Sequence, residues 1–148
     1  MTTFRGFATL NFFADDVAQA ARWYTEVFGV PHYFERSGPD GRPAYVEFRI
    51  GDLEAEFGII SSAYRPPVAD GPAGAIMPGA IMHWAVDDLE GTVARLLGLG
   101  ATEYLPIQVR GDGFVTASVV DPFGNLLGVM TNVHYLEMLG RAGSPAAE

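Results

Sequence analysis

The stretch of sequence that decides the fold occurs twice. Residues 14–22 read ADDVAQAAR and residues 86–94 read VDDLEGTVA, so that Asp16 and Asp88 are 72 residues apart. An apolar run precedes each copy, and a helical pattern ending at glycine follows it. An internal repeat determines the architecture before any local feature does, because each copy is one structural unit. The sequence therefore predicts two equivalent modules.

The composition excludes several kinds of chemistry. A chain of 148 residues, 49% hydrophobic, is suited to one compact domain with a buried core, or to two small modules that share a core. It contains no cysteine, which excludes disulfides, thiol nucleophiles and Cys-ligated metals. All nine basic residues are arginine, which excludes a Schiff-base lysine and a P-loop. The net charge of −9 disfavours nucleic acid and membrane as partners. Because no apolar run is long enough to cross a bilayer and the N-terminus makes a poor signal peptide, we expect a cytoplasmic protein.

Hydrophobic patterning gives the first module the order β-α-β-β-β. Residues 7–13 form a predicted strand, Asp15 or Asp16 caps a helix that ends at Gly29, and residues 32–36 form a short strand. Two alternating runs then predict a β-hairpin with a two-residue turn; these are residues 45–50 and 53–60, with the turn at 51–52. Pairing across that turn would join two pairs on the polar face, Glu47 with Glu56 and Arg49 with Glu54.

The second module repeats this order. It begins with a predicted strand at 80–86 and a helix from Asp88 to Gly100, followed by a strand at 102–109 that is interrupted at Pro106. Two more strands, at 114–120 and 126–130, are joined by a turn at 121–125. A terminal helix at 133–139 and a loose tail from 140 complete the chain. The predicted division is a first module at 1–60, a linker at 61–79, a second module at 80–132, and a C-terminal helix and tail at 133–148. Helices would cover one face of each sheet, and the other faces would surround a shared cavity in an α+β fold with pseudo-twofold symmetry.

Three short segments connect the chain to a known family: WYTEVFG at 23–29, AVDDL at 85–89 and DPFGN at 121–125. With these segments and its strand order, the chain resembles the vicinal oxygen chelate superfamily over nearly all of residues 7–131. That superfamily includes glyoxalase I, extradiol dioxygenases, fosfomycin-resistance enzymes and bleomycin-resistance proteins. The resemblance implies two tandem βαβββ modules that form a curved sheet around a central cup.

The resemblance also implies where a metal would bind. Metal-using members hold a divalent ion with residues from the first and fourth strands of each module. Counting from the helices and from the DPFGN turn, with a constant 72-residue offset between modules, gives four positions: Thr9, Glu56, Ile81 and Gly128. Only Glu56 is an ordinary metal ligand, so we expect no metal cofactor. A displaced metal site built from Asn11, Glu56 and His83 is the less favoured alternative.

Polar and aromatic side chains are predicted to line the cup. Glu56 either pairs with Arg49 or Arg110 as a surface carboxylate, or binds a cation or accepts a proton beside Glu47. Two carboxyl groups so close would raise one of the two pKa values. His83 is either a hydrogen-bonded wall residue or a group that contacts the ligand. The predicted ligand-binding residues are Thr9, Asn11, Phe13, Tyr45, Glu47, Glu56, His83 and Met130, with Glu56 and His83 as the candidate catalytic groups.

Two functions are consistent with this sequence. One is a metal-independent protein of the bleomycin-resistance type that binds a small aromatic or cationic molecule. The other is an enzyme of the same superfamily, a lyase, isomerase or dioxygenase-like protein, that uses Glu56 and His83 with or without a divalent metal. The resemblance further implies a homodimer, in which the modules pair within one chain or are exchanged between two.

Overall fold

The computed structural model describes residues 4–65 and 81–142. The chain divides into two compact units, Met1–Pro67 (unit 1) and Val68–Glu148 (unit 2). Each unit contains one four-stranded mixed sheet, so the fold is α+β with tandem βαβββ units, as predicted. The greater part of the predicted linker and the last six residues of the predicted tail lie outside the described residues.

Unit 1 follows the predicted element order. Its elements are β1 (Leu10–Ala14), α1 (Val17–Phe28), β2 (Phe34–Ser37), β3 (Pro43–Ile50) and β4 (Ala55–Ser61), followed by a short 3-10 turn (Ser62–Tyr64). The strands are arranged in the order β1-β4-β3-β2, and β1 runs parallel to β4 while the other pairs are antiparallel. The helix α1 therefore connects two strands of one sheet and covers one face of it.

Helix α1 begins and ends at the residues the sequence indicates. The Asp16 carboxylate accepts a hydrogen bond of 3.0 Å from the backbone N–H of Gln19, which satisfies a free donor of the first turn. Gly29 ends the helix in the left-handed conformation, with φ of 73°, and its N–H bonds to the Thr25 carbonyl. A glycine adopts this conformation without steric cost, which explains why the helix ends there.

The β3–β4 hairpin differs from the prediction in its register. Ile50 pairs with Ala55, so the turn has four residues, 51–54, and the predicted two-residue turn is wrong. The backbone N–H of Glu54 bonds to the Gly51 carbonyl at 3.0 Å, and Glu54 itself has a φ of 49°. The predicted pairs are wrong for the same reason, since Arg49 lies opposite Glu56 and Glu47 lies opposite Gly58. A shift of two residues leaves every side chain on its predicted face.

An aromatic cluster fills the space between α1 and its sheet. The ring of Phe57, which is fully buried, lies 5.1 Å from the rings of Phe12 and Tyr24 and 5.3 Å from that of Phe28. Phe48, also fully buried, completes the cluster at 6.2 Å from Phe57. Edge-to-face and tilted ring contacts of this kind add to the stabilisation from apolar burial.

Unit 2 repeats the topology of unit 1. Its elements are β5 (His83–Ala85), α2 (Leu89–Gly98), β6 (Thr102–Gly111), β7 (Phe114–Val120), β8 (Leu126–Asn132) and α3 (Val133–Ala142), and the strand order is β5-β8-β7-β6. The Asp88 carboxylate caps α2 through the Gly91 N–H at 2.9 Å. The core is aliphatic and is formed mainly by Leu89, Leu96, Val119, Leu127 and Val129. No described helix is long and apolar enough to span a membrane.

Three elements of unit 2 extend beyond their predicted ends, and one of them is β8, which reaches Asn132. Strand β6 continues through Pro106 because it is an edge strand, where a missing N–H is tolerated, and its register shifts between Leu105 and Gln108. Helix α3 reaches Ala142, so residues 140–142 belong to a helix and not to the predicted tail. Its start is fixed by the Asn132 side chain, which accepts a 3.1 Å hydrogen bond from the Tyr135 N–H.

A buried aspartate organises the β7–β8 turn. Asp121 is 3% exposed. Its carboxylate accepts hydrogen bonds from the backbone N–H groups of Phe123 and Asn125, at 2.9 and 2.8 Å, and from the Asn125 side-chain amide at 2.9 Å. These bonds explain the DPFGN motif, because a buried carboxylate is stable only when several donors surround it.

Candidate functional site

A row of three paired residues crosses each sheet on the face opposite the helix. In unit 1 the row is Asn11, Gly58 and Glu47, on β1, β4 and β3. In unit 2 it is His83, Gly128 and Ser118, on β5, β8 and β7. Residues paired directly across strands point to the same face of a sheet, so each row brings its side chains together. We call these the central rows of the two units.

The central rows correct the sequence-based equivalence of the two modules. Asn11 and His83 are 72 residues apart, but Gly58 and Gly128 are 70 apart, because unit 1 has two more residues between its first and fourth strands. The structural equivalent of Gly128 is therefore Gly58. The predicted equivalence of Glu56 and Gly128 is wrong, because it assumed a constant offset.

This correction removes the one ordinary ligand from the four positions where the superfamily holds a metal. The positions become Thr9 and Gly58 in unit 1, and Ile81 and Gly128 in unit 2. Neither glycine nor isoleucine has a donor atom in its side chain, so this set does not fit a divalent ion. In the part of the chain that the structure describes, no group of three or more His, Asp or Glu side chains is placed to hold a metal.

A chain of hydrogen-bonded polar side chains lies on the open face of unit 1. The Tyr45 hydroxyl donates to the Glu47 carboxyl at 2.6 Å. The Glu47 carboxyl lies close to that of Glu56, and Glu56 forms an ion pair of 3.2 Å with the Arg49 guanidinium. Two carboxyl groups this close disfavour the charged form of one of them. We call the series Tyr45, Glu47, Glu56 and Arg49 the acid network.

The electrostatics of the acid network favour the protonated form of Glu47. Partial burial raises the pKa of Glu47, the hydrogen bond and the charge of Glu56 raise it further, and the Arg49 charge opposes them. Burial and the Glu56 charge also raise the pKa of Tyr45. The side chains of Glu47 and Glu56 were predicted to be close, and they meet diagonally although their strand register differs from the prediction. Such a network can bind a cation or accept a proton.

Because Gly58 has no side chain, the backbone of β4 forms the floor of the unit 1 site. A Cβ atom at position 58 would overlap the Asn11 side-chain oxygen and would lie 2.6–2.8 Å from the Tyr45 ring and hydroxyl. The side chains of Asn11 and Tyr45 therefore occupy the space over Gly58 that the side chain of any larger residue at position 58 would fill. Phe13 lies on the same face, one row along, with the Arg65 guanidinium 5.0 Å from its ring centroid.

The unit 2 face carries a different set of groups. The His83 ring lies over the backbone of Gly128, where a Cβ would come within 2.8 Å of it and would overlap the Met82 carbonyl. Burial lowers the pKa of His83, and the nearby charge of Arg110 lowers it further, so the imidazole is neutral near pH 7. The Arg110 guanidinium donates a 3.1 Å hydrogen bond to the Thr116 hydroxyl.

The predicted site residues fall into two groups. Asn11, Phe13, Tyr45, Glu47 and Glu56 share the open face of unit 1, while His83 and Met130 share the open face of unit 2. Thr9 precedes β1 and is exposed. The ion-pair partner of Glu56 is Arg49. Sequence reasoning missed Gly58 and Ser118, although the alternation in residues 114–120 already placed Ser118 on the face opposite Ala117 and Val119.

One cavity of unit 1 lies away from this face. It has a volume of about 670 Å³ and is formed by the first turn of α1, the β2–β3 loop and residues near Tyr64. None of the acid network residues lines it. Its Asp16 carboxylate is already used to cap α1, so the central row and its surroundings are the better candidate for a functional site.

The sequence matches the family model of the Glyoxalase/Bleomycin resistance protein/Dioxygenase superfamily over residues 6–129. No curated protein matches it significantly.

Solved structures share its fold at low sequence identity. TioX from Micromonospora sp. ML1 is 17% identical, with a TM-score of 0.61 over 86% of this chain and 98% of that one. Lactoylglutathione lyase from Agrobacterium tumefaciens is 20% identical, with a TM-score of 0.59 over 87% and 95%. A fosfomycin resistance protein from Listeria monocytogenes, complexed with Mn(II), is 11% identical, with a TM-score of 0.62 over 88% and 92%. At these identities the similarity shows the fold alone.

Proposed function

Because the chain belongs to the Glyoxalase/Bleomycin resistance protein/Dioxygenase superfamily, we propose that it binds a small organic molecule on the open face of a sheet and needs no metal ion to do so. The observation that carries the proposal is the acid network beside the bare backbone of Gly58. It provides converging polar groups over a flat floor, while the superfamily's metal positions hold no suitable ligand set.

The unit 1 face favours a positively charged or hydrogen-bond-donating group. The Asn11 carbonyl oxygen and the Glu47 and Glu56 carboxyl oxygens are acceptors, and the rings of Phe34 and Tyr45 lie 6.2 Å apart beside them. An aromatic face next to carboxyl oxygens suits an organic cation through both charge and cation–π attraction. The net charge of −9 also favours the approach of cations.

Titration of the ¹⁵N-labelled protein with benzyltrimethylammonium tests this proposal. We expect the largest amide shifts at Asn11, Glu47 and Gly58, and weaker binding by the Glu47→Gln variant at neutral pH. Glu35→Gln is the matched control, because Glu35 lies on the same sheet but pairs with His32 and takes no part in the network. Equal unit 1 shifts with benzoate, or no shifts at these residues with the cation, would contradict the proposal.

Metal analysis separates this function from a metal-dependent enzyme. Protein purified without chelator should contain far less than one equivalent of any divalent metal. A tightly bound divalent ion near one equivalent would contradict metal-free binding and would favour a lyase, isomerase or dioxygenase-like activity.

We also propose that the chain forms a homodimer. Every residue of the edge strand β6 is exposed within the chain, and these residues include Tyr104, Leu105, Ile107 and Val109, the last with 72% exposure. An apolar edge strand of this length is normally covered by another element or another chain. Sedimentation equilibrium at micromolar concentration should give twice the chain mass, and a monomer would contradict the proposal.

A further inference from the structure

The central row of unit 2 contains a buried hydroxyl with no hydrogen-bond partner. Ser118 is 2% exposed, and its Oγ makes no hydrogen bond to any residue in 4–65 or 81–142. Burying a hydroxyl without a partner costs free energy, so native structures rarely leave one unsatisfied without a reason. A Ser at this position therefore needs an explanation that packing does not supply.

The surroundings of Ser118 identify what kind of group could satisfy it. Ser118 pairs with Gly128, and Gly128 pairs with His83, so no side chain of β8 stands between the hydroxyl and the imidazole. His83 is only partly buried, and no described residue holds its ring by a hydrogen bond, so the ring can turn away from Gly128 and open the row. In the next row, the Arg110 guanidinium is held by Thr116, and none of the described carboxylates pairs with it.

We propose that Ser118 and His83 bind a hydrogen-bond-accepting oxygen, a carbonyl or a carboxylate, of a small molecule on the unit 2 face. The Ser118 hydroxyl donates, the N–H of a neutral His83 donates, and Arg110 supplies positive charge nearby. Unit 2 thus offers donors where unit 1 offers acceptors. The inference rests on the proposed function, because it names the ligand group that the second open face recognises.

Benzoate and benzamide, titrated separately into ¹⁵N-labelled protein, test this inference. We expect at least one of them to shift the Ser118 and Gly128 amides and the His83 ring protons, since the ring must turn to admit the oxygen. Binding by both probes indicates any acceptor oxygen. Binding by benzamide alone indicates a neutral carbonyl, and binding by benzoate alone indicates a carboxylate.

The Ser118→Ala variant separates recognition from packing. It should weaken binding of the effective probe by about threefold to tenfold, the equivalent of one hydrogen bond. Its thermal unfolding midpoint should not fall, because the substitution removes an unsatisfied buried group. Ser61→Ala is the matched control: the Ser61 hydroxyl is paired with the Ala63 N–H at 3.3 Å, and its loss should leave probe affinity unchanged. His83→Ala, at an exposed position, gives a second variant with the same expected loss of affinity.

Unchanged affinity for both probes in Ser118→Ala and His83→Ala would overturn the inference. The absence of shifts at Ser118 and Gly128 with either probe would also overturn it. If benzyltrimethylammonium still shifts Glu47 in those experiments, the proposed function stands and only the unit 2 assignment fails. If the cation also fails to bind, the proposed function fails with it.

Discussion

The two units share a topology and differ in the chemistry of their open faces. Both have a glycine at the centre of the row, Gly58 in β4 and Gly128 in β8, and in both a side chain from the neighbouring first strand lies over that glycine. The ends of the rows differ, with Asn11 and Glu47 in one unit and His83 and Ser118 in the other. The comparison teaches that the flat floor is common to both units, while the flanking strands determine what each face can bind.

The largest expected effect concerns the turns that close the two hairpins. Replacing Asp121 with Ala should destabilise the protein by about 3 kcal/mol, because it leaves two backbone N–H groups and a side-chain amide without their acceptor. In the equivalent turn of unit 1, Glu54→Gly should stabilise the protein by about 0.5 kcal/mol because Glu54 has a positive φ. Urea denaturation measures both changes. A similar small effect at both turns would remove this difference between the units.

The central glycines should differ in their tolerance of a methyl group. Gly128→Ala should cost about 2–3 kcal/mol, because the new Cβ would overlap the backbone carbonyl of Met82, which cannot move independently. Gly58→Ala should cost only about 1 kcal/mol, because its Cβ would meet the ends of the Asn11 and Tyr45 side chains, which can rotate. The same denaturation experiment compares them, and the reverse order would contradict the predicted difference between the two glycines.

The helix caps should behave alike in the two units. Asp16→Ala and Asp88→Ala each remove one carboxylate-to-N–H bond, of 3.0 and 2.9 Å, at the start of a helix. Each should cost about 1 kcal/mol, the usual value of an aspartate cap. Thermal unfolding of the two variants tests this symmetry. A loss confined to one unit would show that the repeat does not extend to the energetics of its caps.

The smallest expected effect is a pH dependence confined to unit 1. Because the folded-state pKa of Glu47 is raised, its contribution to stability is present below the ordinary glutamate pKa and is lost as the pH rises through the raised value. Glu47→Gln removes this term, so the stability of the variant relative to the wild type should increase as the pH rises above the ordinary glutamate pKa of about 4. Urea denaturation across this range measures it, with Glu35→Gln as control. A constant difference between variant and wild type would contradict a raised pKa of Glu47.

Sequence patterns predicted most of the fold because the decisive signals are local. Asp16 and Asp88 cap the helices, Gly29 ends the first one, and the alternation of residues 45–50 assigned the correct faces to β3. The register of β3 on β4 could not be predicted, because it depends on a turn whose length and positive φ at Glu54 the sequence did not reveal. The faces were still correct, since the error was two residues.

The site was predicted only in part because it depends on pairing between strands distant in sequence. Glu47 and Glu56 could be placed on one face by alternation, but the assignment of Glu56 to a metal position relied on a constant offset between the modules. The offset changes from 72 to 70 residues between the first and fourth strands, so the error appeared at the fourth strand. Ser118 could not be recognised from sequence, because its importance lies in an absent hydrogen-bond partner.

The aromatic cluster of unit 1 also gives the two units different spectroscopic signals. Its packed rings around Phe57 have no counterpart in the aliphatic core of unit 2, and each unit carries one tryptophan, Trp23 or Trp84. Near-ultraviolet circular dichroism will therefore be dominated by one half of the chain, with Trp23 only 4.8 Å from the Tyr24 ring. Replacing either tryptophan with phenylalanine would leave a single tryptophan, so that with selective excitation of tryptophan the unfolding of each half could be followed separately in the intact protein.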